Sequence, residues 1–177
     1  MGIIGITGEK ESGKDVAAEY LSRKLGHPIW KFATGVREVI SVMTGLSVEF
    51  LESREGKKTI LPEFGGITVG RALQVVGTDW GRNQVSENIW VNVLTRKWVD
   101  AGQPNIIISD VRFENEADFC HFVIKLERKN NTPNLSDGRD ASHESETTVS
   151  KIKETVLIQS ESVKDLFDQL DTLLSKY

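Results

Sequence analysis

At 177 residues the chain is long enough for one domain that buries roughly 70% of the surface its unfolded form would expose. An apolar share of 38% against 27% charged residues excludes a disordered chain. A formal charge of −4 excludes a nucleic-acid binder that works through a broad basic surface, so any anionic ligand must be held by individual arginines and lysines.

Taken in order, short apolar runs alternate with amphipathic segments. Gly2–Thr7 (GIIGIT) is a continuous β-branched run of the kind buried on both faces of a parallel sheet. Asp15–Leu25 spaces Val16, Ala17, Tyr20 and Leu21 as a helix does, Pro28–Ala33 reads as a second strand, and Val36–Met43 as a helix. Thr44–Gly70 has no regular pattern. Val69–Val76 and Asn88–Val99 are helical by spacing, separated by GTDWGRNQVSE. Asn105–Asp110 (NIIISD) is a buried strand, Glu114–Cys120 a helix, Phe122–Glu127 a fourth strand, Thr155–Gln159 a fifth, and Val163–Leu174 a closing helix.

Right-handed crossovers between such elements give an α/β fold: a five-stranded parallel sheet with helices on both faces. Two interruptions, about Thr34–Gln103 and Lys129–Ser150, leave the carboxyl ends of strands, the edge where ligands bind. The lone Cys120 offers no disulfide or metal pair and reads as a small buried hydrophobe. No basic leader, no membrane-length apolar run and no Ser or Thr at Ile6 to complete an acylation signal are present. A reducing cytoplasm is the expected setting.

The chemistry concentrates in GEKESGKD, Gly8–Asp15, which satisfies the phosphate-loop pattern G-x-x-x-x-G-K between a strand and a helix. Gly8 and Gly13 let backbone N–H groups converge on a phosphate, the helix dipole adds to them, and Lys14 can reach the β- and γ-phosphates. The pattern then asks for a hydroxyl and the chain supplies Asp15. A carboxylate can support magnesium directly or through water; it can equally be an acid favoured in a first helical turn.

NIIISD places Asp110 at a strand end, where a magnesium-supporting carboxylate stands in phosphate-loop enzymes, although such an Asp is also a common turn residue. Arg112, Glu114 and Glu116 follow within six residues. Arg71, Asp79 and Arg82 sit in TVGRALQVVGTDWGR, and Arg54, Lys57 and Lys58 in ESREGKK. Each cation alone is most simply a solvated loop residue. Trp90 is either a stacking platform or core, and its spacing favours core. Arg128, Lys129 and Arg139 suit a lid that closes over triphosphate.

These motifs resemble, nearly end to end, the phage-type deoxynucleoside monophosphate kinases of the P-loop nucleoside monophosphate kinase group. SGKD at Ser12–Asp15, Asp included, is that family's form of the loop. FATGVRE, SREGKK, GRALQVVGTDWGR, ENIWV, DVRFENEA and SHESE (Ser142–Glu146) follow in the expected order. The resemblance implies one P-loop kinase domain with an acceptor-binding insertion over 34–103 and a lid over 129–150. It implies ATP phosphates on Gly8, Glu11, Ser12, Gly13, Lys14 and Asp15. It also implies acceptor phosphate near Arg54, Arg71 and Arg112, and the acceptor nucleoside beside Trp90. By the same resemblance Asp110 and Glu116 are expected near the metal or the sugar, on the acceptor side for Glu116, with Asp15 and Asp110 as candidate magnesium carboxylates. Arg128 reaches over from the lid, and Lys14, Asp110, Arg112 and Arg128 are the catalytic candidates. His143 and Glu146 match without an implied role. The stretch from Met43 to Gly70 is shorter than in many phage members.

ATP and magnesium are thus the expected cosubstrate and cofactor, and small nucleotides the expected partners. Many members are dimers, and no apolar stripe here compels one. A P-loop kinase acting on phosphomevalonate or dephospho-coenzyme A is an alternative with the same chemistry. A nucleotide-binding protein without transfer is a third reading, opposed by the arginines beyond the ATP site.

Overall fold

In a computed structural model, which describes residues 2–129 and 137–176, the N-terminal apolar run forms β1 (Ile3–Gly8). The phosphate-loop pattern leads into α1 (Lys14–Leu25), ended by Gly26 in the left-handed conformation. A short β2 (Ile29–Trp30) and α2 (Ala33–Thr44) follow. The stretch without a readable pattern holds α3 (Val48–Glu52), capped by the Ser47 hydroxyl, and a small antiparallel hairpin of β3 (Ile60–Leu61) and β4 (Ile67–Thr68). Next come α4 (Val69–Gln74), a π-helix (Val75–Val85) and α5 (Ile89–Asp100). The remaining elements are β5 (Ile106–Val111), α6 (Glu114–Asp118), β6 (Phe122–Arg128), α7 (Glu144–Thr147), a 3₁₀ turn (Thr148–Lys151), β7 (Val156–Ser160) and α8 (Val163–Leu174).

The chain divides into two compact units. The first takes in Met1–Lys31, Ala101–Asn134 and Thr148–Tyr177; the second, Phe32–Asp100 and Leu135–Thr147. The expected lid, 129–150, is therefore shared between them, and its residues 130–136 lie outside the described residues.

The first unit is the expected five-stranded parallel sheet, in the order β2-β5-β1-β6-β7. Side chains alternate across a strand. Ile4 and Ile6 of β1, Ile107, Ile124, Leu126 and Ile158 therefore meet Ala17, Ala18 and Leu21 of α1 and Leu166 and Leu170 of α8 in one core. The intervening residues Ile3, Ile106, Ile108 and Val123 are buried on the other face, which is why these strands read as unbroken apolar runs. At Gly5 a side chain would stand 2.6 Å from the Cys120 sulfur, so the glycine admits the segment that follows α6. Tyr20 stacks on Phe167 with ring centroids 4.1 Å apart and ties α1 to α8.

The second unit packs α2, α4, α5 and the π-helix about Val36, Ile40, Leu51, Val69, Ala72, Val76, Trp90 and Leu94, all buried. GTDWGRNQVSE does not separate two helices here. The chain runs on from α4 through Val85 with the wider closure, and the Ser86 N–H reaches back to the Gly81 carbonyl, 3.0 Å away. Gly81 does not end the helix because its missing side chain admits Trp90, whose indole N–H donates to the Gly77 carbonyl. A Cβ at Gly81 would stand 2.7 Å from the indole. Such widened turns are rare and cluster at functional sites.

Leu170 has no exposed surface, so Leu170→Ala should cost about 3 kcal/mol, by lost burial plus the residual cavity. Urea unfolding of the two proteins, with an unchanged slope, checks this.

Candidate active site

In the first unit every strand's carboxyl end lies at one edge of the sheet, and that edge gathers the expected ATP-side residues. β1 ends at Gly8, whose φ of 142° is open to glycine; a Cβ there would stand 2.4 Å from the Leu126 carbonyl of β6 and 2.7 Å from the Ser12 hydroxyl. Glu11 follows at φ 64° and Gly13 at φ 99°. A non-glycine in that region costs roughly 1–3 kcal/mol and persists where surrounding structure requires it. The turn delivers the backbone into α1 at Lys14, whose ammonium donates to the carbonyls of Gly8, 2.7 Å away, and Glu9. Ser12 is 2% exposed, and its hydroxyl makes no hydrogen bond among the described residues.

Asp15 lies in the first turn of α1. Its carboxylate receives the Lys31 ammonium, 3.0 Å away, from just beyond β2. Lys31 was not among the sequence candidates. The signal was a single cation after a two-residue strand, with its partner 16 positions earlier.

β5 carries Asp110 one residue before its end, and Thr7 of β1 donates its hydroxyl to the Val111 carbonyl at 2.9 Å, fastening the two strands there. Glu116 is 4% exposed. Its carboxylate accepts the backbone N–H groups of Arg112 (2.8 Å) and Phe113 (3.3 Å), so it satisfies donors that the start of α6 leaves open. The resemblance implies a place near the metal or the sugar for this same carboxylate. Thr148 donates to the Arg112 carbonyl at 2.9 Å. Arg128 is exposed as the last residue of β6.

The second unit holds Arg54, Arg71 and Trp90 of the expected acceptor-side residues, while Arg112 and Glu116 belong to the first. Arg54 is exposed, with no ion-pair partner among the described residues. Arg71 in α4 donates through Nη1 to the Gln74 side-chain oxygen (3.1 Å) and pairs through Nη2 with Asp79 (3.4 Å). Trp90 is 5% exposed and its indole N–H donates to the Gly77 carbonyl at 2.6 Å, the buried alternative that its spacing favoured. Arg139, expected over a triphosphate, is held by Asp137 and Glu146, each about 3.0 Å from a terminal guanidinium nitrogen.

One residue of the FATGVRE motif was missed. Arg37 of α2 is 5% exposed, it faces the Glu52 carboxylate at 3.8 Å, and its Nε and Nη1 make no hydrogen bond among the described residues. A guanidinium buried with open donors costs several kcal/mol unless an anion answers it. Nothing local in the sequence separates Arg37 from a surface arginine.

A sequence model of the family described as deoxynucleotide monophosphate kinase matches residues 43–169. A candidate deoxynucleotide monophosphate kinase of Acanthamoeba polyphaga mimivirus is 32% identical, over 96% of this chain and 94% of that protein. The chain belongs to the deoxynucleotide monophosphate kinase family. The deoxynucleoside-5'-monophosphate kinase of Escherichia phage T5 is 26% identical, over 66% of this chain and 70% of that protein. Among solved structures, TT1252 from Thermus thermophilus superposes with a TM-score of 0.52 at 16% identity, over 99% of this chain and 97% of that one, a likeness of fold alone. The protein is accordingly a phosphotransferase that phosphorylates a nucleoside monophosphate at the expense of ATP. Among the described residues no helix is long and apolar enough to cross a membrane.

In this family member the lone thiol reports on the field at the sheet edge. Burial first, and then the Glu116 and Asp110 carboxylates, push the Cys120 thiol up to about 12. A raised thiol stays protonated through pH 8–10, and thiolate appears only as pH nears 12. Native Cys120 should therefore react with iodoacetamide at pH 8 about two to three orders of magnitude more slowly than the unfolded chain. Time-resolved labelling read by mass spectrometry checks it.

Proposed function

We propose that the two units divide the substrates: ATP takes its phosphates onto Gly8–Asp15 of the first, and a deoxynucleoside monophosphate takes its phosphate onto Arg37 and Arg71 of the second. The observation that carries the acceptor side is Arg37, buried with open donors at Nε and Nη1. A dianionic 5'-phosphate answers both donors, and Arg54 stands exposed as a further cation in the same unit. Trp90 then acts from behind, holding the Gly77 carbonyl rather than touching a base.

An oxygen of the acceptor phosphate attacks the γ-phosphorus in line, the bond to the β–γ bridging oxygen breaks, and ADP leaves with that electron pair. Lys14, already drawn across the loop carbonyls, offers its charge to the β- and γ-phosphates. Arg112 and Arg128, at the ends of β5 and β6, neutralise charge on the group in flight.

Asp15 and Asp110 fit a magnesium ion. They are two carboxylates at one sheet edge, Asp15 in the first turn of α1 and Asp110 near the end of β5. Magnesium is commonly held by one or two carboxylates together with phosphate oxygens and water, and it would neutralise the triphosphate. The setting for this chemistry is the cytoplasm, where ATP and deoxynucleotides meet.

ATP consumption should appear with magnesium and at least one of dTMP, dGMP, dCMP or dAMP, and not with phosphomevalonate. No turnover with any nucleotide, in a protein that binds ATP, would sink the acceptor reading. Lys14→Ala should lower kcat by roughly 10³-fold with an unchanged melting temperature. Arg37→Ala should raise KM for the monophosphate on the order of ten-fold or more and leave KM for ATP alone; equal changes in both would move Arg37 out of the acceptor site.

A further inference from the structure

The SHESE motif at Ser142–Glu146 found no place in the reading above, yet the segment that contains it is fastened to the second unit at several points. Gln74 donates its amide to the Asp140 carbonyl and accepts the Asp140 N–H, both at 2.9 Å, as a neighbouring strand would. Thr68 donates to the Asp137 carbonyl at 2.7 Å. Gly138, at φ 77°, leaves room for that threonine, whose hydroxyl would lie 2.5 Å from a Cβ. Glu146 pins Arg139 at 3.0 Å.

His143 is the remaining point. Its Nε2 lies 2.8 Å from Asp79 Oδ1, and its Nδ1 lies 3.2 Å from the Ser145 backbone nitrogen and 2.9 Å from the Ser145 hydroxyl. The Ser145 N–H can only donate, so Nδ1 accepts. The ring proton therefore sits on Nε2 and is donated to Asp79. The other oxygen of Asp79 faces Arg71 Nη2 at 3.4 Å. Arg71 Nη1 donates to the same Gln74 oxygen that accepts the Asp140 N–H.

Both ends of the Arg71 guanidinium thus rest on side chains that the 140–145 segment fixes: Gln74 through the Asp140 backbone, and Asp79 through His143. Asp140 is itself fixed within the segment. Its carboxyl is held below the usual range chiefly by the Ser142 hydroxyl and N–H, with smaller contributions from Arg71 and His143.

We infer that His143 is a positioning residue for the acceptor phosphate, acting through Asp79 on Arg71. It touches no substrate. By holding one carboxylate oxygen of Asp79 it keeps the other directed at Arg71, so the guanidinium is oriented before the monophosphate arrives. The inference rests on the reading that Arg71 binds the acceptor phosphate.

Two near-isosteres separate this from a merely structural role. His143→Gln can place an amide N–H where Nε2 stood and keep the bond to Asp79. His143→Asn reaches only the Nδ1 position, keeping Ser145 and losing Asp79. Asn and Ala at 143 should raise KM for the monophosphate on the order of ten-fold, with KM for ATP unchanged, while Gln stays within about two-fold of the native enzyme. Asp79→Asn should match His143→Asn.

Arg71→Ala combined with His143→Asn should raise KM no further than Arg71→Ala alone, because the histidine acts through the arginine. Melting temperatures of the Gln and Asn variants should agree. Asn and Gln variants with the same KM would overturn the inference, as would parallel rises for ATP and monophosphate. Should Arg71→Ala itself leave the monophosphate KM unchanged, the acceptor reading falls and takes this inference with it. A raised KM for Arg71→Ala beside native values for every His143 variant would leave the acceptor reading standing and overturn the role of His143 alone.

Discussion

A chain that must turn sharply from a strand into a helix sets the terms for the first unit. That turn uses three residues at positive φ within six positions, Gly8, Glu11 and Gly13, and it tolerates no Cβ where β1 ends against the Leu126 carbonyl. So tight a turn needs a fixed base. β1 supplies it by lying between β5 and β6, paired on both sides and buried on both faces. Asp110 and Arg112 come to the edge because β5 is the neighbour, and Arg128 because β6 is. The neighbouring strand ends therefore come to the same edge as that turn, and Lys14 closes it by spanning its carbonyls.

The second unit solves a different problem, which is how to hold arginines still. Arg37 is buried in helix packing, and Arg71 is braced between Gln74 and Asp79. The bracing depends on the widened helical turn. Trp90 could not donate to the Gly77 carbonyl if Gly81 carried a side chain, because the indole occupies that space. An aromatic residue that resembles a base platform thus works as the wedge that shapes the backbone beneath Asp79 and Arg82.

How much of this was legible in the sequence depended on the range of the interaction. The strands were legible because burial on both faces writes itself as a continuous run, as in IIGIT and NIIIS, and the phosphate turn because its glycines and lysine lie within seven positions. The π-helix was not. Gly77 and Gly81 look like a break, and only their contact with Trp90, nine to thirteen residues on, shows why they are not. Lys31 and Arg37 were missed because what distinguishes them is a partner or a degree of burial that spacing does not encode. The place of Glu116 close to Asp110 is visible in sequence, whereas its bonds to two backbone N–H groups are not. The spacing of Trp90 favours core and the residue is buried, while a place beside the acceptor nucleoside is what the resemblance alone implies.

The second unit is assembled from Phe32–Asp100 and Leu135–Thr147, with strands of the first unit encoded between them. During synthesis the braces on Arg71 cannot form until His143 has left the ribosome. At about 5–20 residues per second, the earlier piece waits several seconds with Gln74 and Asp79 unanswered while β5 and β6 emerge. The order of translation therefore places completion of the Arg71 braces after the sheet has two more of its strands available, and neither unit can be cut from the gene as one continuous stretch.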